Sequence, residues 1–486
     1  MRQVQSSDST ISLSTIDHFI DSHLSNDYPR YEKYWQYYRN DLEELAKGGG
    51  QKRGLPKRYR RKGYDQPEKE IVIENDIAWR IHTLGDFMFG KPVVIQSQAK
   101  DPSKRTAIND LLNRVFEANG GISFFQNLSL LGSVYGFVDI LLRVNEDVAM
   151  SLGGDVAIED LVRLDLVEAP RVIAMLSPSD YRKIEAYVIH YKAYRNEVSG
   201  HDFVGQIKNR ILGKRGAGKV QRYDCVTSIY TDSEITEFDC RPLKPGAGDS
   251  RLNRLGRIPV VHIQNLPQPF HYGGLSEVEP LIPLQDELNV RLSDRANRVT
   301  FQSFKMYLGK GIDGFSSRKV GPGQMWETDN PDAEIIEFGG DQACPSEDKH
   351  IEEIRQAMDK ASAVTGVAAG VLRGRVGSLS SENALRVTML GLLAKTERKR
   401  VTYGQGITCL CELILHAADV YGVLSTTVEE RRVRLDWPSP LPENDEQRLL
   451  EAKQKLEIGV SSEQVLREMG YWHTPPGEDD SSNESF

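Results

Sequence analysis

From Val364 to Ser381 the chain reads VTGVAAGVLRGRVGSLSS, small and glycine-rich with only Arg373 and Arg375 charged, and it runs without a break into ENALRVTMLGLLAKTERKRVTYGQGITCLCELILHAADVYG. No other juxtaposition restricts the fold as much. Ser380 or Ser381 can cap free amides at the junction, and Glu382 falls in the first turn, where the helix dipole favours a negative charge. Leu385, Met389, Leu392, Leu393, Leu410, Leu413, Ile414, Ala417 and Tyr421 recur at three- and four-residue steps, so one face is apolar, while Lys395 to Arg400 form a charged middle. The pattern predicts a helix of about forty residues, roughly 60 Å long at 1.5 Å per residue. Gly404 and Gly406 are its expected kink points. Two readings are open here. One is a buried helix behind a surface loop; the other is a mobile small-residue loop on a rigid lever, able to touch a moving polymer without gripping it.

At 486 residues the chain exceeds what one core supports and suggests two to four domains. Its 39% hydrophobic and 27% charged residues are those of a soluble globular protein. There is no run of eighteen apolar residues, and Met1 to Ser14 lacks the basic start and apolar centre of a signal peptide, so the expectation is an intracellular or particle-borne protein with no membrane segment. Cys225, Cys240, Cys344, Cys409 and Cys411 are scattered, without metal-ligand spacing, and read as reduced thiols; Cys409 and Cys411 read as packing residues. The net charge of -9 repels nucleic acid on average. A surface that DNA slides past nevertheless wants few phosphate contacts, since each basic contact adds affinity and therefore drag.

Taken in order, the polar start gives way to one or two helices in TIDHFIDSHLSNDYPRYEKYWQYYRNDLEELAKGGG, with Tyr31, Tyr34, Trp35 and Tyr38 as a stripe of core or subunit-packing type. Lys52, Arg53, Lys57, Arg58, Arg60, Arg61 and Lys62 follow, seven basic residues in eleven. They form a nucleic-acid patch, a contact to an acidic neighbour or a solvated loop, and the residues leave all three open. Three helices are expected next: one carrying Ile77, Ile81, Leu84 and Phe87 inward, one over 103–119, and SFFQNLSLLGSVYG. FVDILLRV, RVIAMLS, AYVIHYKAY, YDCVTSIYT and IPVVHI read as strands. GKRGAGKV (213–220) imitates a phosphate-binding loop, but Val220 stands where the magnesium-binding hydroxyl belongs. Ser276 to Glu279 has capping-box spacing before a helix with Leu284, Leu288 and Leu292 on one side; Pro283 should bend it or delay its start. Asp286, Glu287, Arg291, Asp294, Arg295 and Arg298 cover the rest of that helix, as if for packing against sister helices. A compact insertion of glycines, prolines and short strands (309–345), a further helix, a strand RRVRLDW, a proline linker and two short helices split at Gly459 complete the chain. The fold class is α+β, mainly α.

In this order the chain resembles a bacteriophage portal protein of the siphophage type. The resemblance rests on YEKYWQYY, NDIAWRIHTLGDFMFGKPVVI, GLSEVEPLIPLQDELNVRLSDRANR, AVTGVAAGVLRGRVGSLSSENALRVTMLGLLAKTERK and VRLDWPSPLPENDEQRLLEAKQKLEIGVSS. It implies a radial ring of about twelve subunits. The parts it implies are a disordered segment 1–29, a wing 30–273, a stem helix 274–304, a clip 305–346, a second stem helix 347–366, a tunnel loop 367–380, a long wing helix with returning strand 381–439, a crown 440–472 and a disordered acidic tail 473–486. Val367, Gly370, Arg373, Gly374, Arg375, Gly377 and Ser378 would face double-stranded DNA; Lys310, Arg318, Lys319, Trp326 and Glu327 would dock the large terminase subunit or the tail connector. The major capsid or scaffolding protein and a head-completion adaptor are the other implied partners. No cofactor is implied.

A catalytic constellation is not legible. The histidines (for example His18, His82, His190, His201, His262, His271, His350 and His416) lack metal spacing with carboxylates, and there is no Gly-x-Ser-x-Gly element. The competing readings are a non-enzymatic nucleic-acid-binding scaffold and a nucleotide-driven DNA translocase.

Overall fold

Ser12 caps the first helix, α1 (Leu13–Asn26): its Oγ accepts the Thr15 amide at 3.2 Å, and Ile16 and Ile20, four residues apart, are both buried. They pack with Ile173, Met175, Val188 and Ile229. The segment expected to be disordered to residue 29 is therefore helical from Leu13, because a cap and an apolar i,i+4 pair suffice to dock it. The computed structural model describes residues 12–40, 72–145, 148, 157–180, 183–194, 223–239, 241–303, 306–311, 329–338, 344–368, 386–441, 445–462 and 465–466, in two units, 1–436 and 437–486.

In the first unit, α2 (Tyr28–Arg39) buries Tyr31, Tyr34 and Tyr37 and ends at Asn40 with φ 57°. Tyr31 meets the rings of Tyr135 and Phe137 edge-on at 5.9 and 6.0 Å, so the tyrosine stripe is core. There follow α3 (Ala78–Phe89), β1 (Val94–Ser97), α4 (Pro102–Ala118), α5 (Ile122–Tyr135) and β2 (Phe137–Val144). Ile77, Ile81 and Leu84 are buried as expected; Phe87 is half-buried, and Met88 and Phe89 point inward as well. The short helix α6 (Ile158–Leu161) leads to β3 (Val162–Val167), β4 (Val172–Leu176), β5 (Ile184–Tyr194), β6 (Tyr223–Tyr230), β7 (Glu234–Phe238), β8 (Asp249–Leu252) and β9 (Val260–Gln264).

These strands form an antiparallel sheet β3-β2-β9 and an antiparallel meander β4-β5-β6-β7-β8. β2 is the centre strand of the first, with Ile140 opposite Leu166 on one side and Val261 on the other. It is buried over its first six residues, which explains its nearly continuous apolar sequence. Gly136, at φ 93°, turns α5 directly into β2, a backbone state that a side chain would strain.

The chain then forms α7 (Ile282–Ser303), β10 (Met306–Lys310), β11 (Glu334–Phe338), α8 (Pro345–Ser362), α9 (Leu390–Val420) and β12 (Val433–Asp436). β12 pairs with β1, and β10 with β11. Ser276 does cap, accepting the Val278 amide at 3.0 Å and the Glu279 amide at 3.4 Å, and α7 starts one residue before Pro283. Several charges of α7 are met within the chain. Arg295 lies 3.1 Å from Asp348, Arg298 pairs with Glu347, Arg291 with Glu287, and Asp286 accepts from Tyr37. A polar row at four-residue steps, Gln285, Asn289 and Ser293, is buried because it bonds the extended backbone at Val72, Glu74 and Asp76.

The long helix is shorter than its sequence pattern. A helical turn at 386–388 is separated from α9 by Met389, and α9 has 31 residues, about 46 Å at 1.5 Å each. It runs unbroken through Gly404 and Gly406. Gly406 is a contact site, not a hinge: a Cβ there would stand 2.3 Å from Ile263 Cγ1. Cys411 is packed as expected, but Cys409 is exposed. The 213–220 imitation loop lies outside the described residues. In the second unit the helix α10 spans Asp445–Glu457, and Gly459 (φ 94°) follows it.

Candidate functional site

The residues expected to face DNA hang from a root that the structure describes. Val367 sits in the turn after α8; Gly370, Arg373, Gly374, Arg375, Gly377 and Ser378 lie outside the described residues. So do Lys52, Arg53, Lys57, Arg58, Arg60, Arg61 and Lys62, and Arg318, Lys319, Trp326 and Glu327. Lys310 ends β10, exposed, in a hairpin where Leu308 faces Ile336 and both side chains are open to solvent.

On the upstream side of the root, α8 stops at Ala363, which takes the left-handed conformation at φ 59°, and the chain turns under the guanidinium of Arg80. Arg80, only 2% exposed, donates to Asp359 Oδ1 and the Val364 carbonyl at 2.6 Å each, to Ser362 Oγ at 3.1 Å, and to the Asp76 carbonyl and carboxylate at 3.1 and 3.2 Å. Its other face lies 4.3 Å from the Trp79 ring. A planar fork of five donors suits this task, where a lysine would reach fewer partners. Burial raises the Asp359 carboxyl above its ordinary value, with Arg80 pulling the other way.

On the downstream side, Lys395 donates to the Ser362 carbonyl at 2.8 Å and to Glu277 Oε2 at 2.5 Å. One turn on, Lys399 is completely buried, donates to Ser133 Oγ at 2.8 Å and stands 3.8 Å from Glu277 Oε1. Burial pulls Lys399 down to about 8, against the attraction of Glu277. Tyr403 completes the knot by donating to Asn265 Oδ1 at 3.1 Å, and burial raises its hydroxyl. Gly132 leaves room for that ring; a Cβ there would lie 2.1 Å from the Tyr403 oxygen. Leu84, Val364 and Leu392 form an apolar cluster at the same place. Ser362 and Val364 upstream and Lys395 downstream are thus fixed to one base.

A second buried network stiffens the sheet beneath. Asp139, with no exposed surface, accepts from Tyr187 and Tyr272 hydroxyls at 2.8 Å each and lies 2.6 Å from His262 Nδ1, whose Nε2 is 2.7 Å from the Tyr272 carbonyl oxygen. Its hydrogen bonds tie β2, β5 and β9 to the loop after β9. Both networks hold positions; neither presents a nucleophile to an open pocket. Sequence reasoning missed Arg80, Glu277, Lys399 and Asp139. Arg80 and Asp76 stand four apart, the one signal available; Glu277 and Lys395 pair across 118 residues, Lys399 and Ser133 across 266, and Asp139 and Tyr187 across 48.

Among the described residues no helix is long and apolar enough to cross a membrane, and no group of three His, Cys, Asp or Glu side chains could hold a metal ion. The family model described as phage portal protein, SPP1 Gp6-like, matches residues 17–479. Among solved structures, the chain is similar to one from the virion of a native gene transfer agent particle (12% identity, 82% of this chain, 89% of that chain, TM-score 0.39). It is also similar to one from the neck of an empty gene transfer agent particle computed with C6 symmetry (13% identity, 83% and 91%, TM-score 0.45). No curated protein matches the chain.

Proposed function

The chain belongs to the SPP1 Gp6-like family of phage portal proteins, and we propose that it forms a ring of about twelve subunits at one capsid vertex, the channel through which double-stranded DNA is packaged and ejected. The observation that carries this reading is the extent of the family match, residues 17–479, which spans both units. Residues 30–273 form the wing, 274–304 and 347–366 the stem, 305–346 the clip and 440–472 the crown; the loop 367–380 faces DNA. In this reading Arg373 and Arg375 are isolated cations repeated around the channel, touching phosphates without reading bases, while the net charge of -9 per chain keeps other contacts few. The Arg80 clamp and the Glu277 knot supply what a working loop needs, fixed ends.

The protein acts without catalysis of its own. The hairpin carrying Lys310 docks the large terminase subunit during packaging and the head-completion adaptor afterwards, and the wing rim meets the capsid or scaffolding protein. Assembly takes place in the bacterial cytoplasm and the product is part of the virion. Native mass measurement tests the ring: about twelve 54.7 kDa chains give roughly 650 kDa. A chain that stays a monomer or dimer at all concentrations and salt conditions overturns it.

A further inference from the structure

Two exposed apolar features of the first unit complement each other. One is a knob in the loop after β9. Phe270 is 77% exposed, and its backbone sits at φ 66°, where a bulky side chain is strained. The loop is tied down around it: Gln264 Nε2 donates to the His271 and Tyr272 carbonyls at 2.8 and 3.1 Å, the Leu275 amide donates to the Leu266 carbonyl at 3.0 Å, and Asn265 Nδ2 to the Leu275 carbonyl at 3.1 Å. Gly274 is pressed so close that a Cβ would stand 2.6 Å from the Leu266 carbonyl oxygen. Strain persists where surroundings over-determine a conformation, and here they hold an aromatic ring outward. Leu275, in the same loop, is 47% exposed.

The other feature is a seam on α9. Leu392, Thr396, Lys399 and Tyr403 are buried, so that face of the helix is fixed inward. Two residues round, on the opposite face, lie Leu390, Ala394 and Val401, with Val387 in the preceding turn. Val387, Leu390 and Val401 are 74%, 65% and 70% exposed. Val387, Leu390 and Ala394 follow at three- and four-residue steps, and Val401 lies two turns beyond Ala394 with the exposed charges Glu397 and Arg398 between them, so the exposed face carries apolar side chains at both ends of a charged middle. Charges agree with the pairing. Arg398, in that middle, is exposed and has no ion-pair partner among the described residues. Glu279, near the knob, is exposed, bonds the Tyr34 hydroxyl and has no cationic partner among them either.

A closed ring needs two different patches per subunit, each covered by the other on a neighbour. We propose that Phe270 and Leu275 of one copy of this chain dock on the Val387, Leu390 and Val401 seam of the next copy, with Glu279 facing Arg398. This rests on the reading of the chain as a ring subunit.

The test uses the full-length chain with Phe270→Cys and Leu390→Cys in a Cys409→Ser background, oxidised as assembled rings. Covalent dimers and higher ladders that neither single cysteine gives are the expected result; rings of normal mass without a ladder overturn the pairing alone. Arg398→Glu should lower ring yield about tenfold at fixed concentration, and adding Glu279→Arg should restore it. Rings unaffected by Arg398→Glu, or a double variant no better than the single, also overturn it. Circular dichroism of each variant separates loss of assembly from loss of fold. A parent chain that never forms rings overturns the pairing and the ring reading together.

Discussion

A single carboxylate, Glu277, faces two lysines, one buried (Lys399) and one half-buried (Lys395), and that imbalance governs what substitution does at the loop root. Removing Glu277 as Glu277→Gln strands Lys395 and Lys399 without a counter-charge. The expected cost is about 3–5 kcal/mol, the range for breaking a buried pair by deleting one partner. Lys399→Met removes the surplus cation while Glu277 keeps Lys395 at 2.5 Å, so it should be neutral or stabilising. Urea unfolding of the two variants checks the contrast; equal losses would show that the knot is not electrostatic. The pH dependence has a definite sign. Folded Lys399 gives up its proton near 8 and the unfolded chain near 10.5, so between those values the unfolded chain binds more protons. Stability should therefore rise with pH from about 8 toward 10.5, and this increment should be missing from Lys399→Met, which cancels other groups by difference.

Among the elements, α9 is the clearest case of a rule overridden by packing. On helix propensity, Gly406→Ala should stabilise by about 1 kcal/mol. The Ile263 side chain occupies the space, with a Cβ only 2.3 Å from Cγ1, so the substitution should instead destabilise by about 1–3 kcal/mol as α9 is pushed off β9. Thermal melting decides the sign, and Gly406→Ala with Ile263→Val should recover part of the loss. The sequence marks Gly406 only as a weak point in a helix. That it is a contact depends on β9, more than 140 residues earlier in the chain. Apolar stripes behaved differently. Ile77, Ile81, Leu84 and the tyrosines of α2 were legible because burial of one face is written locally at helical steps.

At the scale of the whole molecule, the proposed function assigns Arg373 and Arg375 to the DNA path. Arg373→Glu with Arg375→Glu should thus leave ring mass unchanged and lower DNA packaged per particle by at least about tenfold, through lost phosphate contacts and added repulsion. Rings that package like the parent would remove residues 367–380 from the DNA path. What the sequence by itself determined is the order of elements: periodicity, caps and turn residues act within a few positions, so the helices, most strands and the family resemblance could be read directly. Partners were decided only by the tertiary structure. Arg80 meets Asp359, Asp139 meets Tyr187 and His262, and Glu277 meets Lys399 across separations that no local pattern encodes. Buried polar groups must find bonds somewhere, and where they find them is a property of how the elements pack, not of any one of them.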